Sequence, residues 1–265
     1  MSNSKLALMK RSTLAAVGMM RMGIFKSLAK KGLIKKKLFD DTIVVSYPKS
    51  GRTWLRVMFD YLNIHLKYDH FLITGNRKNF NYENRTIVGD TFASKKIIFL
   101  IRDPRDVVVS SYFQSSKREQ VYQGAIADYI RCPEFGIHRI LDYQITWLAN
   151  KAVSKDFFVV RYEDLMQDTV ASLEKIVEFL GIKKISRRKL NRTIELFHFE
   201  NMQHFEKIGL LGVRYGNRLR PLGDKSQDAF KVRRGVVGGY KDYLSPNDID
   251  YCNQQMAKAG LDLYV

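Results

Sequence analysis

Cysteine is scarce: Cys132 and Cys252 are the two in 265 residues. They are too few and too far apart for a disulfide framework or a thiolate metal site, and a reducing compartment suits them. The five histidines, His65, His70, His138, His198 and His204, show no metal-ligand spacing, so no metal is expected. Long apolar runs are missing too, and none reaches the roughly 20 residues that span a bilayer. The nearest, Leu14 to Phe25, is broken by Arg21 and leads into Lys-rich sequence rather than a small-residue cleavage site. That pattern argues against both a membrane-spanning helix and a secretory signal, and the expectation is a cytoplasmic protein.

Acidic residues are absent from the start of the chain, where none precedes Asp40. This sets residues 1–40 apart as a basic segment, and residues 41–265 as the main domain. Leu6, Leu8, Met9, Leu14, Val17, Met20, Ile24 and Leu28 fall on loose helical spacing among Lys and Arg. Such a helix could lie on an anionic membrane as a peripheral contact, or pack on the domain with a solvated basic face. Both readings stand at this point.

What the chain has is apolar mass and positive charge. Hydrophobic residues make up 45% and aromatic ones 12%, enough for a packed core, and the length suits a single domain with a tail. Lys and Arg number 45 against 27 Asp and Glu, a net charge of +18. That points to anionic partners without choosing among phosphates, acidic glycans, lipids and nucleic acid.

The apolar pattern alternates between strand and helix. Thr42 to Tyr47 is β-branched, Pro48 to Gly51 is a turn, and Thr53 to Leu62 has helical spacing. Ile97 to Ile101 is a continuous apolar strand, and Pro104 opens a helix reaching about Ser116. A helix over Ile137 to Val153, a strand over Phe157 to Arg161 and a helix from Thr169 to Leu180, stopped by Gly181, repeat the theme. A last helix begins near Pro246. The fold class is α/β: a central parallel sheet flanked by helices. Gly209 to Gly239 is rich in Gly and Arg with few periodic apolar positions, and reads as a long mobile segment able to fold over a ligand.

The loop from Ser46 to Trp54 joins a buried strand to a helix, where free backbone amides and the helix dipole favour an anion. Lys49 adds a full charge, Gly51 permits close approach, and Ser50 and Thr53 offer hydroxyls. It is not a Walker A loop, because Lys49 precedes Gly51 and no earlier glycine is present; that disfavours a nucleotide-dependent kinase. Its sequence, YPKSGRTW, resembles the 5′-phosphosulfate loop of the sulfotransferases that use 3′-phosphoadenosine-5′-phosphosulfate (PAPS), usually close to TYPKSGTTW. Arg52 stands where that loop commonly has Thr.

The resemblance extends over roughly Thr42 to Leu244 and implies the family's P-loop-kinase-like fold. Arg102 to Ser110 (RDPRDVVVS) is similar to the 3′-phosphate motif, which implies that Arg102 and Ser110 hold that phosphate. Arg233, Arg234 and Gly235, in RRGVVGGYK, are similar to a second segment reaching the same group. Tyr162 in RYED, Phe199 in FENM and Trp54 match residues around the nucleotide base. For Asp103, Arg105 and Asp106 an ion-paired first helical turn is the better expectation.

Sulfuryl transfer needs in-line positioning, a cation at the leaving oxygen and a group to take the acceptor proton. Lys49 suits the second role. For the third, the family's common Lys-Thr-His tripeptide is absent, and His70 is the best-placed histidine, with Glu83 or Asp90 as carboxylate alternatives. The acceptor is a hydroxyl or amine on a glycan, lipid or small molecule. No sequence-specific nucleic-acid partner is implied. The rival reading is a non-catalytic basic module that binds nucleotide or glycan through charge alone.

Overall fold

The computed structural model describes residues 37–70, 80–81, 86–87, 90–183, 185–219, 222, 226–261 and 264. The proposed amphipathic helix within residues 1–36 and the candidate base Glu83 lie outside these.

Four strands form one sheet: β1 (Lys37–Val45), β2 (Ile64–Asp69), β5 (Lys96–Ile101) and β6 (Asp156–Arg161), in the order β2-β1-β5-β6 and parallel throughout. The short pair β3 (Phe80–Asn81) and β4 (Thr86–Ile87) is antiparallel and separate. Both faces of the sheet are apolar, as a sheet covered by helices on each side requires. Val44, Ile98 and Leu100 point into one core, while Ile43, Val45, Ile97, Phe99 and Ile101 point into the other.

Period-3.6 apolar stripes supply the covering layers. The first core is closed by α1 (Arg52–Tyr61) through Leu55, Met58 and Phe59, and by residues of the later helices α6 (Thr169–Phe179), α7 (Arg187–Leu196) and α8 (Phe199–Lys207). The second is closed by α2 (Pro104–Phe113), α4 (Ile137–Ala149) and α10 (Pro246–Lys258), with Trp147 fully buried against Phe92 and Phe99. The shorter helices are α3 (Ile126–Arg131), α5 (Tyr162–Gln167) and α9 (Gly212–Tyr215).

The expected elements are present with shifted ends. β1 begins at Lys37, so the end of the basic stretch is part of the sheet. α2 stops at Phe113 and continues as a single π turn, Gln114–Arg118. β2 was not expected, although Ile64, Leu66 and Tyr68 alternate with His65, Lys67 and Asp69 at the period of a strand.

The order β2-β1-β5 places a topological switch between β1 and β5, where the chain leaves to opposite sides. In open parallel sheets the crevice beyond the carboxyl ends at such a point is where ligands bind. Among the described residues no helix is long and apolar enough to cross a membrane.

Candidate active site at the carboxyl edge of the sheet

Each sheet strand ends in a residue singled out from sequence. β1 runs into the Ser46–Trp54 loop, β2 into His70, β5 into Arg102 and β6 into Tyr162. Parallel pairing puts all four ends on one edge.

The loop after β1 has a left-handed backbone at Lys49 (φ 73°) and Gly51 (φ 94°). A side chain at residue 51 would collide with Tyr162, whose ring carbon would lie 2.6 Å from an added Cβ, so glycine is required by both conformation and space. Among the described residues no side chain caps α1. Its first amides therefore remain available to an anion. Ser50 is buried, and its Oγ has no partner among the described residues. Trp54 is fixed at the other side by donation from Nε1 to the Phe197 carbonyl (2.7 Å).

Lys49 Nζ donates to Gln114 Oε1 at 2.8 Å. Burial, then the charges of Lys231 and Arg118, hold its ammonium well below the usual lysine range, with Glu206 opposing. Lys231, Arg118 and Arg233 thus add positive charge around Lys49, against Glu206 beside Arg118 and Asp228 beside Arg233. Positive charge gathered in this way suits an anionic ligand.

Arg102 lies over the Tyr162 ring (4.3 Å), donates to the carbonyls of Lys49 (3.3 Å) and Val236 (3.2 Å), and pairs with Asp106 (3.3 Å). It therefore ties the β1 loop to the chain's trailing segment. Glu163 Oε1 accepts from the Asp103 amide (2.9 Å) and fixes the corner where β5 ends. Asp103 pairs with Arg105 at 2.7 Å, the internal ion pair expected of this turn.

Asp106, Ser110 and Gln114 are four residues apart on the same face of α2 and its π extension. Asp106 accepts the Gly238 and Tyr240 amides, each at 3.0 Å, and Gln114 holds Lys49. Ser110, half-buried, sits between those two contacts. Arg233 reaches the same helix, its guanidinium 4.2 Å from the Phe113 ring centre. Arg234 turns instead to Asp242 at 2.6 Å. Gly235 (φ 63°) underlies Phe199, and an added Cβ there would be 2.2 Å from its ring.

The described residues of the 209–239 segment include short helical turns, and residues 231 and 232 are pinned by Glu206, whose oxygens accept the Lys231 and Val232 amides (both 2.8 Å) and Arg118 (2.7 Å). Arg118, Gln114 and Glu206 were not anticipated, because their partners are distant in the chain and no local pattern marks them.

The family profile described as a sulfotransferase domain matches residues 87–260, about two thirds of the chain. This chain belongs to the sulfotransferase family. Among its relatives, human sulfotransferase 2A1 is 26% identical, covering 78% of this chain and 79% of that protein, and the flavonol 3-sulfotransferase of Flaveria bidentis is 25% identical, covering 80% and 78%. Its fold matches a mouse sulfotransferase solved with PAP (TM-score 0.59, 19% identity, 84% of this chain and 85% of that one). It also matches retinol dehydratase solved with retinol and PAP (TM-score 0.61, 18% identity, 88% and 83%). The sulfotransferase is an enzyme of sulfuryl transfer rather than a passive basic module. The profile match spans Arg102, Ser110, Tyr162, Phe199 and Arg233 to Gly235, and begins after the Lys49 loop.

His70 closes the edge at β2. Its Nδ1–H donates to the Ser46 carbonyl (2.9 Å), and Arg52 Nη2 meets its Nε2. Asp90, the alternative carboxylate, is exposed in the turn Asp90–Phe92, which leads into β5 at its amino end, away from the loops. Among the described residues no group of three or more His, Cys, Asp or Glu could hold a metal ion.

Proposed function

We propose that the sulfotransferase binds PAPS across the β1–β5 crevice, passes its sulfuryl group to a hydroxyl or amine acceptor and releases 3′-phosphoadenosine-5′-phosphate. The observation that carries this reading is the joining, by Arg102, of the Lys49 loop to the 233–240 segment at one sheet edge. The residues fit the donor in three respects. The charges of Lys231, Arg118 and Arg233 act together on Lys49, the buried Ser50 hydroxyl and the α1 amides await acceptor oxygens, and Gly51 and Gly235 let the backbone run close against the Tyr162 and Phe199 rings.

Lys49, Ser50, Gly51, Arg52 and Thr53 hold the 5′ side. Arg102, Ser110 and Arg233, with the Gly235 backbone, hold the 3′-phosphate; Arg234 joins them by release from Asp242. Trp54, Tyr162 and Phe199 frame the base. Bound there, the donor supplies a sulfuryl group on a phosphate leaving group. Lys49 neutralises the charge that develops on the leaving oxygen, the nucleotide's own negative charge offsetting the cations that otherwise disfavour its ammonium. His70 Nε2 takes the acceptor proton, and its position at the same edge as Lys49 favours it over Asp90.

The relatives' names include a flavonol and hydroxysteroid sulfotransferases, which supports a hydroxyl acceptor. A lipid or glycan acceptor would reach the same edge. A cytoplasmic location agrees with the relatives named cytosolic.

Calorimetric titration with 3′-phosphoadenosine-5′-phosphate, with the 5′-monophosphate as control, tests the reading. Wild type should prefer the bisphosphate, and Arg102→Ala should lose about 10- to 100-fold of that preference, the worth of a charge-assisted phosphate contact. Equal binding of both nucleotides by wild type would overturn it.

A further inference from the structure

His70 is held at both ring nitrogens. A carbonyl only accepts, so the Ser46 contact fixes the proton on Nδ1 and leaves the lone pair on Nε2. This is the tautomer a base needs, yet Arg52 Nη2 donates to that lone pair. The sheet itself brings the two together: β1 and β2 pair in parallel, Arg52 opens the helix after β1, and His70 follows β2. The charged groups facing His70 are Arg52 and Arg56 from α1 and Lys231 from the trailing segment, with Asp69 preceding it in the chain. Burial and Arg52 first, then Lys231 and Arg56, hold its imidazolium down to about 4, against the Ser46 bond.

Arg52 also belongs to the anion loop, in the first turn of α1. A guanidinium bonded to phosphate oxygens, by two parallel charge-assisted bonds, is held roughly twice as strongly as by a neutral acceptor. An imidazole nitrogen cannot compete with that. We propose that Arg52 is a nucleotide-operated gate on His70: without an anion in the loop its guanidinium caps Nε2, and a bound phosphate draws it away and uncovers the lone pair. Arg52 is then a positioning residue for the base as well as a ligand for the donor. The proton acceptor becomes competent only after the donor nucleotide has bound. This rests on the roles given above to His70 and to the loop.

The test is nitrogen NMR of the His70 ring, assigned with His70→Gln, as a function of pH. In the nucleotide-free protein, Arg52→Thr should raise the His70 pKa by about one unit or more, the effect of removing an adjacent like charge. Arg52→Lys, which keeps the charge and loses the planar fork, should fall between and guards against a folding defect in the first variant. Adding 3′-phosphoadenosine-5′-phosphate to wild type should raise the pKa by more than it does in Arg52→Thr, because only wild type has a cap to remove. An unchanged pKa in nucleotide-free Arg52→Thr overturns the gate. So does an equal rise in both proteins on adding nucleotide, which would assign the change to the phosphate field alone. The first arm uses no nucleotide, so a failure of the bisphosphate to bind wild type would overturn the nucleotide assignment and the gate's trigger while the cap itself was still read.

Discussion

The two halves of the site are held in place by different means. The half formed by the Lys49 loop, His70, Arg102 and Tyr162 hangs from four parallel strand ends, and backbone pairing sets its geometry. The half formed by Lys231 to Tyr240 has no strand beneath it. Buried carboxylates hold it instead: Glu206 grips residues 231–232 and Asp106 grips residues 238 and 240. Scaffold built from backbone resists single substitutions, whereas a segment held mainly by a few side chains is weakened by losing one of them.

Glu206→Ala is therefore the largest expected break. Glu206 and Arg118 are 0% and 2% exposed, and removing one member of such a pair leaves the other charge buried and uncompensated. Chemical unfolding should show a loss of about 3–5 kcal/mol. Nucleotide affinity measured well below the melting transition should also fall, since two backbone amides lose their acceptor. A variant that kept wild-type stability would mean that the trailing segment has other anchors.

Lys49→Met probes the other half. The substitution removes the charge and keeps the stem's volume, so the loop, held by β1 and α1, should keep its shape. Turnover should drop about 100- to 1,000-fold, the scale of losing one transition-state donor, while melting temperature moves little. The paired outcome, activity lost without stability in one half and both lost in the other, is the contrast in its measurable form.

The same contrast separates what sequence reveals from what it conceals. The Ser46–Trp54 loop and Arg102 were legible because each follows an apolar strand directly, and strand ends in a parallel sheet converge by topology. Tyr162, Phe199 and Arg233 came from resemblance, not from periodicity. Glu206 and Gln114 were invisible, because a carboxylate that binds an arginine 88 residues away, or an amide that binds a lysine 65 residues away, leaves no local trace. β2 was readable from its alternation, but its charged positions masked a short strand at the sheet's edge. For residues 209–239 glycine content reports backbone freedom, while the side chains that pin residues 231, 232, 238 and 240 lie elsewhere in the chain.

Asp106→Asn gives the smallest and most discriminating effect. The carboxylate accepts Gly238 and Tyr240 amides on separate oxygens and takes Arg102 on one of them. An Asn keeps the shape and one carbonyl oxygen, but its NH2 must face an amide or the guanidinium, donor against donor. One hydrogen bond and the Arg102 ion pair are lost while Glu206 still holds the segment at residues 231–232. The expected cost is about 1 kcal/mol in binding of 3′-phosphoadenosine-5′-phosphate, a few-fold in affinity, with little change in binding of the 5′-monophosphate. If both nucleotides weakened equally, Asp106 would be supporting the whole edge rather than the 3′-phosphate side, and the division of the site into two separately held halves would fail.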